Sequence, residues 1–342
     1  MQQEIQARKQ KWIDFADPAS PVNRILVVNY SEGKPERPML WWEKMKEREE
    51  WAYCCYQQQM EDVAVIPDNT IPFLSIATGT EIFAEAFGCK VHKPENNNPF
   101  ALPKIFSWQE VRSIRKPRLE DTKLTLLFEM ADRLREKAGK QALLKLPDVQ
   151  TPMDIAALIW EKSDFYAAMY EMPEAVHELA EMVKELLFEF FDAWFGRYGS
   201  EFIAHYPDYY MPCGITISED EVGAVSAAMY REFFEKELVE ISNRYGAIGV
   251  HCCADSSHQW ENFKRIPNLK ILNLVREKEE TLASLEVFRN VCGQYPSHLI
   301  REPGDLPDAE NLHLAQYLTV STKAEACRIA EYFREHGILP AE

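Results

Sequence analysis

Short apolar runs alternate with longer amphipathic segments along most of this chain. The runs have the length and the partly β-branched content of buried strands, and they occupy residues 62–68, 143–148, 208–218, 247–251, 269–274, 297–302 and 315–320. Between them, apolar residues recur at three- and four-residue steps, most clearly at 176–194 and 326–333, which predicts amphipathic helices. Strands that alternate with helices predict βα units and a parallel sheet.

The chain before residue 60 has a different character. Turn-forming residues gather at 31–38, and the charged, Trp-rich segment from about 39 to 60 predicts a helix. No low-complexity linker or short-period repeat divides the residues that follow. We therefore predict an N-terminal helical extension over residues 1–60 and a single α/β barrel over residues 61–342.

Composition narrows the class of protein. Hydrophobic residues make up 46% of the 342 residues, enough for a large core. The formal net charge of -17 argues against nucleic-acid binding and against docking on an anionic membrane. The polar N-terminus lacks the apolar core of a signal peptide, and no window approaches the roughly 18 to 20 apolar residues of a membrane span. Eight cysteines in such a chain are typical of reduced thiols, so we expect a cytoplasmic protein with a small-molecule substrate.

The clearest candidate chemistry lies at residues 246–255, an apolar run that ends in a His-x-Cys pair. In an extended strand, His251 and Cys253 point to the same face and Cys252 points to the opposite one. The residues from Ser256 onward predict a helix, so the pair follows a strand at the position where α/β barrels carry their active sites. Imidazole and thiolate are both metal ligands. The alternative is a buried thiol beside a hydrogen-bonded imidazole.

Other candidate residues stand near the ends of predicted strands. Asp68 ends the run 62–68 and is a candidate catalytic carboxylate, although it could instead cap the following turn. Asp220 is a candidate for orienting substrate, with a helix N-terminal carboxylate as the alternative. Gln150 and His313 are candidates for binding substrate at the mouth of the barrel, and turn-forming neighbours explain Gln150 equally well.

The order and spacing of several motifs resemble the uroporphyrinogen decarboxylase superfamily. The resemblance runs from about residue 60 to near the C-terminus and is carried by residues 87–89, 147–152, 217–221 and 250–253. Members of that superfamily are (β/α)8 TIM barrels with a deep funnel at the C-terminal face. The resemblance therefore implies an α/β fold of that type, here with an N-terminal helical extension.

One branch of the superfamily decarboxylates uroporphyrinogen without a cofactor. The resemblance makes Asp68 the counterpart of its pyrrole-binding carboxylate. That substrate also needs grouped cations to offset its many carboxylates. The arginine-rich N-terminal signature of the branch is not visible, because Arg24, Arg37 and Arg48 are scattered.

The other branch comprises corrinoid-linked methyltransferases, which bind zinc through a His-x-Cys pair and a later Cys. His251 and Cys253 match the pair, although Ala254 stands where a Gly usually follows, and the last strand at 315–320 contains no Cys. The third ligand stays open among Cys213, Cys292 and Glu302. We predict a zinc-assisted methyltransferase-like enzyme whose partner is a corrinoid protein. The alternatives are a cofactor-free decarboxylase and a non-catalytic ligand-binding barrel, and a homodimer is an open expectation.

Overall fold

The computed structural model describes residues 1–297 and 312–340. The strands are β1 (Arg24–Tyr30), β2 (Phe73–Ser75), β3 (Lys90–His92), β4 (Phe100–Leu102), β5 (Leu143–Lys145), β6 (Phe202–Ile203), β7 (Tyr210–Met211), β8 (Ile215–Ser218), β9 (Ile248–Cys252), β10 (Leu269–Leu274), β11 (Gly293–Gln294) and β12 (Leu314–Val320). The α-helices are α1 (Gln2–Phe15), α2 (Met45–Asp62), α3 (Ile82–Ala86), α4 (Trp108–Val111), α5 (Thr125–Ala138), α6 (Pro152–Ile159), α7 (Lys162–Glu171), α8 (Pro173–Tyr198), α9 (Ala227–Met229), α10 (Glu235–Tyr245), α11 (Trp260–Phe263), α12 (Lys278–Val287) and α13 (Lys323–His336).

Parallel strands form the wall of the molecule in two arcs. One arc has the order β1-β12-β11-β10-β9-β8, and in the other β2 pairs in parallel with β5. The arcs meet where Gln150, beyond the end of β5, forms a parallel bridge with Ser218 of β8. On the other side, the amide of Asn69 donates to the carbonyl of Leu26 in β1 at 2.8 Å. With helices following the strands, this is the α/β barrel architecture that the sequence predicts.

Two predictions for the start of the chain are wrong, one of a helical extension and one of a strand. β1 lies inside residues 1–60, which the sequence pattern assigns to a helical extension, and it pairs with β12 along its whole length. The run 62–68 is not a strand, because α2 continues through Asp62 and turns follow. Ile66 is nevertheless buried, since it packs with Leu26 and Phe333 in a small core outside the main one. The apolar residues of this run therefore indicated burial of Ile66, but they did not indicate that the segment pairs as a strand.

Later predictions are confirmed. β5, β8, β9, β10 and β12 coincide with predicted strands, whereas most of the run 297–302 lies outside the described residues. The predicted stripe at 176–194 lies in α8, whose buried residues form one face. The last helix begins where Thr322 accepts a hydrogen bond from the Glu325 amide at 3.2 Å, and it ends at Gly337 with a positive φ of 71°.

A hairpin interrupts the regular alternation of strands and helices. β6 and β7 pair antiparallel with each other, and β6 also pairs in parallel with β5 through Lys145 and Ile203. The loop between β6 and β7 reaches β8, where the amide of His205 approaches Oγ1 of Thr216 at 3.4 Å. This hairpin therefore lies between β5 and β8, on the amino-terminal side of the Gln150–Ser218 bridge.

Helix α1 covers the amino-terminal ends of the strands. The Trp12 ring packs against Tyr209 and Tyr295, and Phe15 lies against His313, which immediately precedes β12. Gly293 at the start of β11 is required there, because a Cβ would come within 2.6 Å of the Phe15 ring. The opposite, carboxyl-terminal end of the barrel is left open by this helix. None of the helices in the described residues combines the length and the apolar content needed to cross a bilayer.

Candidate functional site

Polar residues line up across neighbouring strands at the carboxyl-terminal end of the barrel. His251 near the end of β9 lies in register with Ser218 of β8 and Asn273 of β10. Its Nδ1 is 2.5 Å from Oδ1 of Asn273. The Asn273 amide nitrogen donates to the carbonyl of Tyr295 and approaches Oγ of Ser297 at 3.3 Å, which turns Oδ1 toward the imidazole. An acceptor oxygen beside Nδ1 favours the tautomer with the proton on Nδ1, which leaves Nε2 as the nitrogen able to bind a metal ion.

Asp220, His251 and Cys253 form a cluster at this end of the barrel. One side-chain donor atom from each lies within 4.8 Å of the other two. Oδ1 of Asp220 also accepts the backbone N–H of Cys253 at 2.6 Å, which ties the end of β8 to the end of β9. The structure thus brings together the two residues of the His-x-Cys pair and adds a carboxylate that the sequence suggested only for orienting substrate.

This donor set fits a zinc ion. Carboxylate oxygen, imidazole nitrogen and thiolate sulfur all bind zinc, at bond lengths of about 2.0 to 2.3 Å. Tetrahedral bonds of that length bring ligand atoms to about 3.5 Å from each other, so a modest side-chain rotation closes the cluster. Cys253 is exposed while Asp220 and His251 are half-buried, so one side stays open. Three protein ligands with an open position are typical of catalytic zinc.

The thiol of Cys253 needs a cation to become a thiolate at neutral pH. Burial, together with the charge and hydrogen bond of Asp220, raises its pKa to about 12. A protonated thiol is a weak nucleophile and a weak ligand. A bound metal ion would remove that proton. The arrangement therefore suits a metal site better than a free nucleophilic cysteine.

The two cysteines suggested as a third ligand do not reach this cluster. Cys213 precedes β8 and is exposed, and Cys292 precedes β11 and is buried. Because the strands are parallel, residues before a strand lie at the amino-terminal end of the barrel, opposite His251. Glu302 lies outside the described residues.

His313 does not lie where a substrate would bind, because it too stands before its strand, at the amino-terminal end of the barrel. It precedes β12, is only 5% exposed, and its Nδ1 lies 3.3 Å from the carbonyl of Phe15 in α1. The sequence correctly put it close to the final strand. The direction of that strand puts it at the covered end of the barrel.

Asp68 has its carboxylate occupied by protein donors. Arg8 donates to Oδ1 at 2.9 Å, the amide of Val28 donates to Oδ2 at 2.9 Å, and Thr70 donates through both its amide and its hydroxyl. The residue is 5% exposed. These contacts describe a structural anchor, and a catalytic role for Asp68 stays a prediction that they do not support.

Gln150 and Asp148 add polar atoms beside the cluster. The Oε1 atom of Gln150 and the Oδ1 atom of Asp148 are buried and make no hydrogen bond within the described residues. Oδ1 of Asp148 lies 3.7 Å from Nε2 of His205. Burial raises the pKa of Asp148 to about 6, against the opposing effects of His251 and Lys145. Asp148 ends the predicted strand 143–148, so the sequence contained the signal for it.

His205 was missed because it lies on the inserted hairpin. Its ring is buried, with Nδ1 3.1 Å from Oγ1 of Thr216 and Nε2 2.9 Å from Oγ of Ser218. Burial holds its pKa well below the usual value, so the ring is neutral at physiological pH. No pattern at residues 202–211 distinguishes an interior hairpin from an ordinary loop.

A cavity of about 440 Å³ opens near the ends of β1, β2 and β12. Apolar and polar residues share its wall, among them Asn29, Trp51, Phe73, Lys145, Asp208 and Tyr317. Lys145 and Asp208 form an ion pair at 2.5 Å between the nitrogen and the nearer oxygen. Lys34 and Arg37 contribute cations from the loop after β1. A cavity of this volume can hold a small organic molecule.

The fold and the site define a class: a parallel α/β barrel with polar, metal-compatible chemistry at the carboxyl-terminal ends of its strands. The particular family follows from comparison with known proteins. The family model described as uroporphyrinogen decarboxylase (URO-D) matches residues 42–294, and the chain belongs to that family. Family and fold together identify the barrel as the TIM-barrel type.

Among solved structures, a methyltransferase from Methanosarcina mazei has a similar fold. The similarity has a TM-score of 0.65, with 13% sequence identity, and covers 95% of this chain and 98% of that chain. A search of the curated proteins gives no match.

Proposed function

We propose that this chain is a zinc-assisted methyltransferase of the uroporphyrinogen decarboxylase family, which moves a methyl group from a corrinoid on a partner protein to a thiol or similar acceptor. The observation that carries the proposal is the convergence of Asp220, His251 and Cys253 at the ends of β8 and β9. The fold shared with a methyltransferase supports it. Asp220 supplies the third ligand that the missing Cys of the last strand leaves open.

The residues around the cluster have separate tasks in this proposal. Asp220, His251 and Cys253 would hold the zinc ion, which when bound would keep an acceptor sulfur as a thiolate at neutral pH. Asn273 keeps the proton of His251 on Nδ1, so that Nε2 remains available as a ligand. The free oxygens of Gln150 and Asp148 offer hydrogen-bond acceptors to the acceptor molecule.

Metal analysis of protein purified without added zinc tests the ligand set. We expect about one zinc ion per chain in the unmodified protein, and affinity at least tenfold weaker in Asp220→Asn, His251→Ala and Cys253→Ser. Cys213→Ser is the matched control, because it removes an exposed thiol at the other end of the barrel. Substoichiometric zinc that none of the three substitutions changes would sink the proposal.

Methyl transfer is then measured with free methylcobalamin as donor and 2-mercaptoethanol as acceptor. We expect turnover in the zinc-loaded protein and in Cys213→Ser, and loss of turnover in the three ligand variants. Stoichiometric zinc without methyl transfer or thiol binding would favour a non-catalytic ligand-binding barrel.

A cofactor-free decarboxylase is the second candidate. The cations Lys34, Arg37 and Lys145 around the cavity favour an anionic substrate, and the family carries the decarboxylase description. Against it, Lys145 is already paired with Asp208, and Asp68 is engaged by Arg8. Conversion of uroporphyrinogen to a product with fewer carboxylates, abolished in a folded Asp68→Ala variant, would establish this function in place of methyl transfer.

A further inference from the structure

Asp154 lies directly behind the loop that carries Asp220. It sits in the first turn of α6, where its amide donates to Oγ1 of Thr151 at 3.3 Å. Its side chain accepts two backbone N–H groups from the loop: Oδ2 is 2.7 Å from the Asp220 nitrogen, and Oδ1 is 3.0 Å from the Glu221 nitrogen. The residue is 1% exposed. One buried carboxyl group thus binds two successive peptide groups.

These two bonds begin where the hydrogen bonds of the sheet end. The amide of Glu219 still donates to the carbonyl of His251 at 2.8 Å, so the chain up to that residue follows β9. Asp220 and Glu221 lie beyond the strand, and their amides turn to Asp154. The direction in which the Asp220 side chain leaves the backbone therefore depends on the peptide groups that Asp154 holds.

We infer that Asp154 is a positioning residue, which holds Asp220 at the distance from His251 and Cys253 that metal binding requires. The inference rests on the proposed function, because it takes Asp220 as a zinc ligand. Asp154 itself does not touch the metal position. Its effect passes through the backbone of residues 220 and 221.

The surroundings of Asp154 argue for a specific role. Glu219 and Glu237, both buried, are its acidic neighbours, and burial of a carboxyl group among others is unfavourable unless it gains hydrogen bonds. Its two bonds to the loop, together with a side-chain hydrogen bond shared with Glu219, are the compensating contacts. Glu237 belongs to α10 and makes no hydrogen bond to residues 220 and 221 among those recorded for the described chain. Glu237 can therefore serve as the control for a substitution of Asp154.

A double-mutant cycle on zinc affinity tests the inference. Asp154→Asn keeps the shape of the side chain but replaces one acceptor oxygen with an NH₂ group, so one loop N–H loses its partner. We expect Asp154→Asn to weaken zinc binding about tenfold, the range found for residues that orient ligands. In the presence of Asp220→Asn, the same substitution should change the affinity less than about twofold, because the ligand it positions is already gone.

Glu237→Gln is the control, and it should leave zinc affinity unchanged. Cobalt substitution adds a spectroscopic readout, since Asp154→Asn and Asp220→Asn should shift the visible spectrum of the bound ion in the same way. Affinity unchanged in Asp154→Asn, or an effect that adds fully to that of Asp220→Asn, would overturn the inference while the proposed function stands. Absence of zinc binding in the unmodified protein would overturn both.

Amide hydrogen exchange supplies a measurement that needs no variant. In the unmodified, metal-free protein, the amides of Asp220 and Glu221 should exchange nearly as slowly as that of Glu219, although the first two lie beyond the sheet. Fast exchange at 220 and 221 would contradict the inference even where Asp154→Asn fails to fold.

Discussion

Arg8 and Asp68 form a buried ion pair, with 2.9 Å between Nη1 and Oδ1 and with side chains 3% and 2% exposed. The guanidinium group also donates to the carbonyls of Ile66 at 2.7 Å and Thr70 at 2.8 Å. Arg8 belongs to α1, and the other residues belong to the segment between α2 and β2. This pair therefore joins the N-terminal helix to the barrel wall.

Removal of Arg8 should destabilise the protein strongly. Arg8→Ala leaves the Asp68 charge buried without its cation, which costs about 3 kcal/mol of unfolding free energy. The matched control is Lys9→Ala, which breaks the more exposed pair between Lys9 and Glu201 and should cost less than about 1 kcal/mol. Urea denaturation of the two variants checks this. Equal, small effects would mean that the Arg8–Asp68 pair does not anchor α1.

Asn273 should control metal affinity without being a ligand. Asn273→Leu removes the acceptor that holds the proton of His251 on Nδ1, so the competing tautomer with a protonated Nε2 becomes populated. We expect zinc affinity to fall by about 10- to 100-fold in a chelator competition.

Asn262→Leu is the control for that substitution. Asn262 is also buried, but its amide donates to Oε1 of Gln259, away from the cluster. It should lower stability and leave zinc affinity of the folded protein unchanged. Equal zinc affinity in the Asn273 variant and the unmodified protein would show that His251 needs no help in choosing its tautomer.

Glu81 should make stability depend on pH. It is 2% exposed, and burial raises its pKa to about 7, with Glu85 and Asp148 raising it and Arg48 opposing them. The folded state therefore binds more protons than the unfolded state between about pH 4.5 and 7, and stability falls as pH rises through that window. Above it, the ionised carboxylate destabilises the fold.

Glu81→Gln removes that ionisation. It should raise the unfolding free energy by about 2 kcal/mol at pH 8 and by less than about 1 kcal/mol at pH 5, because Glu81 is already neutral in the folded protein at the lower pH. Urea denaturation at both values measures the difference. Glu47→Gln, at an exposed position of α2, is the control and should show the same small effect at both pH values. A pH-independent gain in Glu81→Gln would point to packing and not to ionisation.

The sequence predicts the residues whose positions depend on strand alternation, and it fails where a loop turns back. His251 lies in β9 and Cys253 immediately follows that strand, so the alternation of side chains predicts that both point the same way. Asp220 lies on the loop after β8, whose amides donate to Asp154, and no spacing between residues 154 and 220 reveals that contact. The end of the barrel at which His313 lies depends on whether this residue precedes or follows β12. An error of a few residues in the predicted start of that strand hides the difference.

The sequence also fails to predict β1 as a strand of the barrel, because its pairing is not local. The apolar run at 24–30 is as strong as several runs that predict strands, but turn-forming residues separate it from the regular alternation that follows. Its partner is β12, at the far end of the chain, so no local pattern identifies the pairing. Non-local pairing of this kind is settled by the closure of the barrel and not by neighbouring residues.

That pairing has a consequence for biosynthesis. Arg24 lies opposite Leu314 and Tyr30 opposite Val320, so β1 emerges from the ribosome long before the strand that covers its edge. At about 5 to 20 residues per second, the interval is on the order of tens of seconds. An uncovered strand edge is a template for pairing with other chains. A nascent chain of this protein is therefore most exposed to aggregation until its last strand has been made, and whatever shields β1 in that interval protects the whole fold.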